Sequence, residues 1–99
     1  MAKKIVFIEE AYSDIFDIGE YYLGISELLK QKFEAELFKT IEPIAILPIT
    51  YHLYKKDYRS IHLSIFPFSV YYKEEADLII IVAVIHSKRS NAFKNRRMG

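Results

Sequence analysis

The sequence predicts an α+β domain with the element order β-α-α-β-β-β. Three observations predict it. Apolar residues recur at three- and four-residue spacing between 11 and 44, alternate with polar residues between 60 and 73, and run without interruption from Leu78 to Ile85. Short links between the last three segments favour an antiparallel meander. We therefore expect a helix hairpin packed on one face of a mainly antiparallel four-stranded sheet.

The first half predicts one strand and two helices. Residues 5–8 read Ile-Val-Phe-Ile and are prone to form a strand. We expect the first helix to end near Gly24 and Ser26 to cap the second. Gly19 would let the second helix approach closely, and Pro43 is expected to end or kink that helix. The short link between the helices favours an antiparallel hairpin.

The second half predicts the rest of the sheet. Residues 51–56 are interpreted as a connecting loop or a short edge strand. The following segment alternates, and its apolar members are expected to face the hairpin: Ile61, Leu63 and Ile65. Pro67 is expected in a turn, and residues 74–77 in a charged hairpin turn. We expect the first strand to pair beside Leu78–Ile85.

The composition indicates one soluble domain over residues 1–99. The chain has 99 residues, 52% of them hydrophobic, which suffices for a single core. It has no cysteine, so disulfides and thiolate metal sites are excluded. The start lacks the apolar run of a secretory signal, and the longest apolar run, Leu78–Ile85, is too short to cross a bilayer. We expect a cytoplasmic protein without membrane contact.

Charge is distributed unevenly, although the formal net charge is only +1. The region from Glu9 to Glu27 carries acids and no base, whereas every charged residue after Asp77 is basic. Residues 88–99 are therefore interpreted as a basic C-terminal tail. Such a tail is either a solvated end or a surface for an anionic partner, and direct binding of nucleic acid stays open here.

Three motifs give the chain a resemblance to a known family. They are Ala11-x-x-Asp14-Ile15-x-x-Ile18-x-x-Tyr21-Tyr22, Arg59 followed by Phe66-Pro67-Phe68-x-Val70-Tyr71-Tyr72, and Ile81-x-Ala83-Val84-Ile85-His86-x-x-Arg89. With the element order, they make the chain similar to the RelE/ParE superfamily of type II toxin–antitoxin modules. The better match is the ParE-like branch, which includes plasmid stabilisation proteins.

The resemblance implies a small toxin that arrests growth and is neutralised by a cognate antitoxin. ParE-like members act on DNA gyrase without known hydrolytic chemistry, whereas RelE-like members cut messenger RNA in the ribosome. Because the fold is shared, only the site can separate the two. An inactive binding module on the same fold is a third alternative. The oligomeric state is left open between a homodimer and a toxin–antitoxin hetero-oligomer.

The candidate catalytic residues are those that a metal-free ribonuclease could use, namely an acid–base pair and cations near the phosphate. They are His86, Arg89, Lys88 and His62. Ser and Tyr stand where such a nuclease would need Arg or Lys, so the leading hypothesis is a ParE-like toxin that breaks no bond. Arg59 and His86 are expected about 20 Å apart, too far to serve one phosphate.

Candidate partner-binding residues combine aromatic side chains with cations. They are Tyr21, Tyr22, Arg59, Tyr71, Arg89, Phe93, Arg96 and Arg97. Structural interpretations stand beside this one: the tyrosines fit core and rim positions, and Phe93 could pack back on the domain. His52, His62 and His86 lack metal-ligand spacing, so no metal site is expected. No nucleotide, dinucleotide or zinc-protease motif occurs, so no cofactor is expected.

Overall fold

A computed structural model describes residues 2–46, 52–55 and 57–98, with His52 described by its backbone alone. The strands are β1 (Lys4–Phe7), β2 (His52–Lys55), β3 (Tyr58–His62), β4 (Phe68–Glu75) and β5 (Leu78–His86). The α-helices are α1 (Glu9–Leu23), α2 (Glu27–Ile41) and α3 (Asn91–Met98), and a 3-10 turn, Glu42–Ala45, follows α2. No helix in the described ranges has the length and apolar character needed to cross a membrane.

The described strands form one five-stranded sheet in the order β1-β5-β4-β3-β2. The expected position of the first strand is confirmed, because β1 pairs with β5 in parallel, from Lys4 opposite Leu78 to Phe7 opposite Ile81. The other neighbours pair antiparallel. The expectation of four strands is wrong, since His52–Lys55 adds an edge strand beside β3. The edge-strand interpretation of this segment is therefore the correct one.

The helix hairpin forms where the periodicity places it. Ser26 caps α2, and its hydroxyl accepts a hydrogen bond from the backbone N–H of Leu29 at 3.0 Å. The helix ends just before Pro43, as expected. Gly19 faces α2, but an added Cβ would lie 3.5 Å from the Lys30 side chain, which is an ordinary contact. The approach of the two helices therefore does not depend on glycine.

The main core lies between the hairpin and one face of the sheet. Phe33 and Leu37 of α2 pack there against Val70, Tyr72 and Ile81 of the sheet. Leu63 belongs to this core, and Ile61 packs at its margin.

The expectation that Ile65 faces the hairpin is wrong, because its side chain is 82% exposed. The third strand ends at His62, and the segment that follows is a loop rather than more strand. Backbone N–H groups of Ser64 and Ile65 donate to the Glu36 carboxylate of α2, so the alternating pattern does not continue as strand pairing.

The other face of the sheet is partly covered by α3, which corrects the interpretation of residues 88–99 as a tail. The Ser90 hydroxyl accepts a hydrogen bond from the Phe93 N–H at 3.1 Å and so caps this helix. Phe93 and the buried Met98 pack with Tyr71 and Ile85 in a second, smaller core. The basic side chains are therefore arranged along a folded helix.

The β4–β5 hairpin turn lies where the sequence predicts it but contains fewer residues than expected. Glu75 still pairs with Leu78, which leaves Ala76 and Asp77 as the turn. Ala76 has a φ of 49°, in the left-handed region that favours glycine. The Lys3 ammonium donates to the Ala76 carbonyl and lies 3.1 Å from the Glu74 carboxylate, which ties the start of β1 to this turn.

Candidate functional site

A cleft of about 180 Å³ opens between α1, the carboxyl end of β5 and α3. Its lining combines apolar and charged side chains. The residues that line it are Asp14, Asp17, Ile18, Phe68, Val84, Ile85, His86, Arg89, Phe93 and Arg97. The cleft thus collects side chains from both ends of the sequence.

Asp14 and Arg97 form the back of the cleft. Arg97 donates from Nη1 and Nη2 to the two carboxylate oxygens of Asp14, at 3.0 and 2.8 Å. Arg97 Nε also lies 3.7 Å from the Glu10 carboxylate. The hydrogen bond with Asp14 is the main reason that the pKa of Arg97 is raised above its ordinary value, and burial opposes it. Both groups are therefore engaged inside the fold.

This ion pair also supplies hydrogen-bond partners for backbone groups of β5 beyond the end of β1. The β1–β5 pairing ends at Ile81. Beyond it, the Val84 N–H donates to Asp14 Oδ2 at 2.9 Å, and the Val82 carbonyl accepts from Arg97 Nη2 at 3.3 Å. Val82 is skipped in the pairing with β4, where the register shifts between Tyr71 and Tyr72. The pair therefore continues the sheet edge with side chains instead of a strand.

His86 and Arg89 stand at the mouth of the cleft. The Lys88 N–H donates to His86 Nδ1 at 3.1 Å, so the neutral ring carries its proton on Nε2. The His86 ring lies edge-on to Phe68, with centroids 5.3 Å apart. The Arg89 guanidinium stacks 4.3 Å from the centre of the Phe93 ring. This arrangement offers one hydrogen-bond donor, His86, and one cation, Arg89, but each packs against an aromatic ring.

The charges around the cleft balance. Two carboxylates, Asp14 and Asp17, line the same space as the guanidinium groups of Arg89 and Arg97. Phosphate binding needs a surplus of positive charge, because carboxylates nearby repel the anion. The cleft therefore suits a neutral or amphipathic group better than a scissile phosphate.

Comparison with known proteins adds the family. The family model described as the ParE toxin of the type II toxin–antitoxin system, parDE, matches residues 5–91. The chain belongs to the ParE toxin family. A solved structure titled "Chromosomal ParDE TA system from P. aeruginosa" is similar in fold, with a TM-score of 0.76 and 16% identity over 86% of this chain and 96% of that chain. No curated protein matches the sequence.

The four catalytic candidates of this ParE chain do not form one site. His86 and Arg89 share the cleft, whereas Lys88 is exposed beside it. His62 lies on the opposite face of the sheet, because it is aligned with Ser69 and Ile85, while His86 is aligned with Phe68. The predicted separation of Arg59 from the His86 end agrees with the register, since Arg59 lies opposite Tyr72, which pairs with Ile81.

His62 forms a small polar cluster with two serines. Its Nδ1 contacts the hydroxyl of Ser69, which is fully buried, and the Ser69 and Ser87 hydroxyls are 3.2 Å apart. Lys94 donates to the Ser87 carbonyl at 3.2 Å. A buried hydroxyl cannot reach a substrate, so Ser69 orients His62 and is not a nucleophile.

The partner-binding candidates of the ParE chain are spread over several surfaces. Tyr21 is 66% exposed, and Arg96 and Arg89 are exposed at the α3 end. Tyr22 and Tyr71 are buried, Arg59 and Phe93 are half-buried, and Arg97 is engaged by Asp14. Partner binding by any of them stays a prediction, but the structure gives Tyr22, Tyr71 and Arg97 internal contacts.

Sequence reasoning missed the central pairing of the ParE cleft. Asp14 stood in a motif and Arg97 among the basic residues, but nothing local links positions 83 apart. One signal was available: Asp14 lies between Ala11 and Ile18 at helical spacing, so it is turned toward the sheet rather than to solvent. An acid on that side of a helix needs a partner.

Proposed function

We propose that this ParE-family chain is the toxin of a type II module, that it arrests growth in the cytoplasm by binding a protein target such as DNA gyrase, and that a cognate antitoxin neutralises it. No bond is broken in this mechanism. The observation that carries the proposal is the balanced cleft, in which Asp14 and Asp17 offset Arg89 and Arg97. A site of this kind binds groups of a partner rather than activating a phosphate.

The exposed cations lie beside the cleft, and one of them, Arg89, also lines it. Lys88, Arg89 and Arg96 are exposed around the start and outer side of α3. Phe93 lies between Arg89 and Arg96, with the guanidinium carbons 4.3 and 5.8 Å from its ring centre. Arginine held on an aromatic ring is a frequent element of protein interfaces. This end of the domain is the surface that we assign to the target.

Purified protein tests the proposal directly. We expect it to inhibit supercoiling by DNA gyrase in vitro, and its expression without antitoxin to arrest growth with a DNA-damage response. Co-expression of a cognate antitoxin, to be sought as a small open reading frame beside the gene, should restore growth. Unchanged supercoiling together with normal growth would contradict the proposal and favour an inactive binding module.

One observation favours a second candidate, a ribosome-dependent endoribonuclease. His86 and Arg89 line the same cleft, which places a proton donor and a cation within one site. This candidate predicts that transcripts are cleaved during expression and that cleavage is lost in His86→Ala and Arg89→Ala while the fold persists. Intact transcripts in growth-arrested cells would eliminate it. The exposed Lys32 of α2 provides a matched control, Lys32→Ala.

A further inference from the structure

A second group of polar side chains lies outside the cleft, on the face of the sheet that carries α3. Its centre is Ser87, which directly follows β5. The Ser87 hydroxyl lies 3.2 Å from the hydroxyl of the buried Ser69 and 3.5 Å from His62 Nδ1. The Lys94 ammonium of α3 donates to the Ser87 carbonyl at 3.2 Å. We call His62, Ser69, Ser87 and Lys94 the serine cluster.

The serine cluster carries a surplus of positive charge. Lys94 is half-buried, and within the described ranges it forms no ion pair with a carboxylate. The helix α3 contains no acidic residue, and the exposed Lys88 directly follows Ser87. A cation that is partly withdrawn from water and lacks an opposite charge attracts an anion.

The acids that come nearest in the sheet and the hairpin are distant or engaged. Glu74 lies five residues beyond Ser69 along β4, about 17 Å at the rise of a strand. Asp57, which precedes β3, is about as far from His62. The Glu36 carboxylate of α2 accepts from backbone N–H groups of the β3–β4 loop. The balance of charge that characterises the cleft is therefore not repeated in the serine cluster.

The serine cluster presents donors of three kinds. His62 Nδ1 faces Ser69, which leaves Nε2 of this exposed residue for a ligand. The Lys94 ammonium has three N–H groups and uses one of them on Ser87. Imidazole, ammonium and hydroxyl donors that approach from different elements suit an anion with several oxygens in tetrahedral directions. A carboxylate offers only two oxygens in one plane and fits them less well.

We propose that the serine cluster binds a phosphate group, with His62 Nε2, the Lys94 ammonium and the Ser87 hydroxyl as donors. Ser69 is a positioning residue, because it is fully buried and its hydroxyl contacts the imidazole rather than the ligand. The phosphate belongs to inorganic phosphate, to the end of a nucleotide or to the backbone of a nucleic acid strand. The proposal does not depend on the proposed function, since growth arrest by protein contact does not require it.

Titration of the full-length protein with inorganic phosphate at constant pH tests the site. We expect the NMR signals of the His62 ring to shift and to saturate, with a dissociation constant of roughly millimolar or below. Potassium chloride at the same ionic strength should leave these signals nearly unchanged, and acetate should bind at least about fivefold more weakly. Equal shifts with chloride, or equal affinity for acetate, would overturn the proposal.

Variants of the two cationic donors are compared by calorimetry. His62→Gln and Lys94→Gln are expected to weaken phosphate binding at least about tenfold each, because a charge-assisted hydrogen bond is lost. Lys94→Arg keeps the charge and should retain most of the affinity. Lys32→Gln, at an exposed position on α2, is the matched control and should bind within about twofold of wild type. A Lys94→Gln variant that is folded by circular dichroism and binds as tightly as wild type would contradict the proposal.

Ser69→Ala tests the positioning role. We expect phosphate binding to weaken several-fold while the free energy of unfolding permits a folded protein. The nitrogen NMR signals of the His62 ring should also change, because Ser69 no longer fixes the hydrogen bonding of Nδ1. A purely structural hydroxyl would leave those ring signals as they are. Unchanged ring signals together with unchanged affinity would remove Ser69 from the site.

Two trinucleotides, with and without a 5′-phosphate, distinguish the sources of the phosphate. Tighter binding of the phosphorylated one identifies a terminal phosphate as the ligand. Equal affinities of the two that exceed the affinity for inorganic phosphate identify the backbone phosphodiester. If neither trinucleotide nor inorganic phosphate binds, the inference is wrong, whether or not the protein inhibits gyrase.

Discussion

Arg97 holds Asp14 in a two-pronged ion pair, with nitrogen–oxygen distances of 3.0 and 2.8 Å. The two side chains are only 15% and 18% exposed. They are 83 positions apart in sequence, so the pair fastens the last helix to the first. Through the Val82 carbonyl and the Val84 N–H it also completes the edge of β5.

Removal of one partner of this pair is expected to destabilise the domain. Asp14→Asn or Arg97→Met leaves the other charge largely buried, which should lower the free energy of unfolding by about 2–3 kcal/mol. Urea denaturation measures this. The double variant should lose less than the sum of the two single losses. Glu75→Gln, which affects the exposed pair with Lys73, should change stability by less than about 0.5 kcal/mol. An Asp14→Asn effect as small as that of the control would contradict the internal role of the pair.

Ala76→Gly is expected to stabilise the protein. A left-handed φ of 49° is unfavourable for a residue with a Cβ, and glycine removes that penalty. Part of this gain is offset because glycine has more conformational freedom in the unfolded chain. The net gain should be about 0.5–1 kcal/mol, visible as a rise in Tm of a few degrees. Ala35→Gly, at an exposed position inside α2, should have the opposite sign. A loss of stability in Ala76→Gly would argue against this turn.

The free energy of unfolding is expected to fall at alkaline pH because of Tyr22. Burial, with a smaller contribution from Tyr21, raises the pKa of Tyr22 above its ordinary value of 10.0. The folded state therefore holds the phenol proton more tightly than the unfolded state. Its contribution is fully present below pH 10 and is lost as the pH rises through the folded pKa.

Tyr22→Phe should remove this alkaline loss, measured as the difference between the unfolding free energies of wild type and variant from pH 8 to 11. Tyr12→Phe, whose ring is largely exposed, is the control. Parallel curves for wild type and Tyr22→Phe would refute the prediction. The raised pKa of Arg97 lies above the pH range of this experiment, so it does not obscure the measurement.

Charge reversal at the α3 end should weaken growth arrest. Arg89→Glu with Arg96→Glu replaces two exposed cations and is expected to reduce target affinity about tenfold or more. Survival after induction and the concentration that inhibits gyrase measure this. Lys32→Glu on α2 is the control and should remain toxic. If the wild type, the double variant and the control were equally toxic, the assignment of the target surface to the α3 end would be wrong.

Elements with strong apolar periodicity were predictable from sequence. The hairpin and the strands β3 to β5 follow their patterns, and Ser26 and Pro43 set the limits of α2. The alternation predicted Ile65 wrongly, because Glu36 holds the loop by its backbone and ends the strand early.

The helix α3 was missed because its apolar contacts, Phe93 and Met98, are few and not regularly spaced. Its stability depends on Ser90 and on the distant Asp14, and a tertiary contact of that kind leaves no local pattern. The cleft was missed for the same reason. It is assembled from residues 14 to 97, and only the acid turned inward on α1 gave any sign of it.

The order of protein synthesis gives the ion pair a further consequence. Asp14 is synthesised 83 residues before its guanidinium partner, Arg97. The helix α1 therefore lacks this contact until the ribosome has passed Arg97, so α3 docks after the strands of the sheet have been made. A polypeptide that stops before Arg97 has an unfinished β5 edge and lacks part of the cleft.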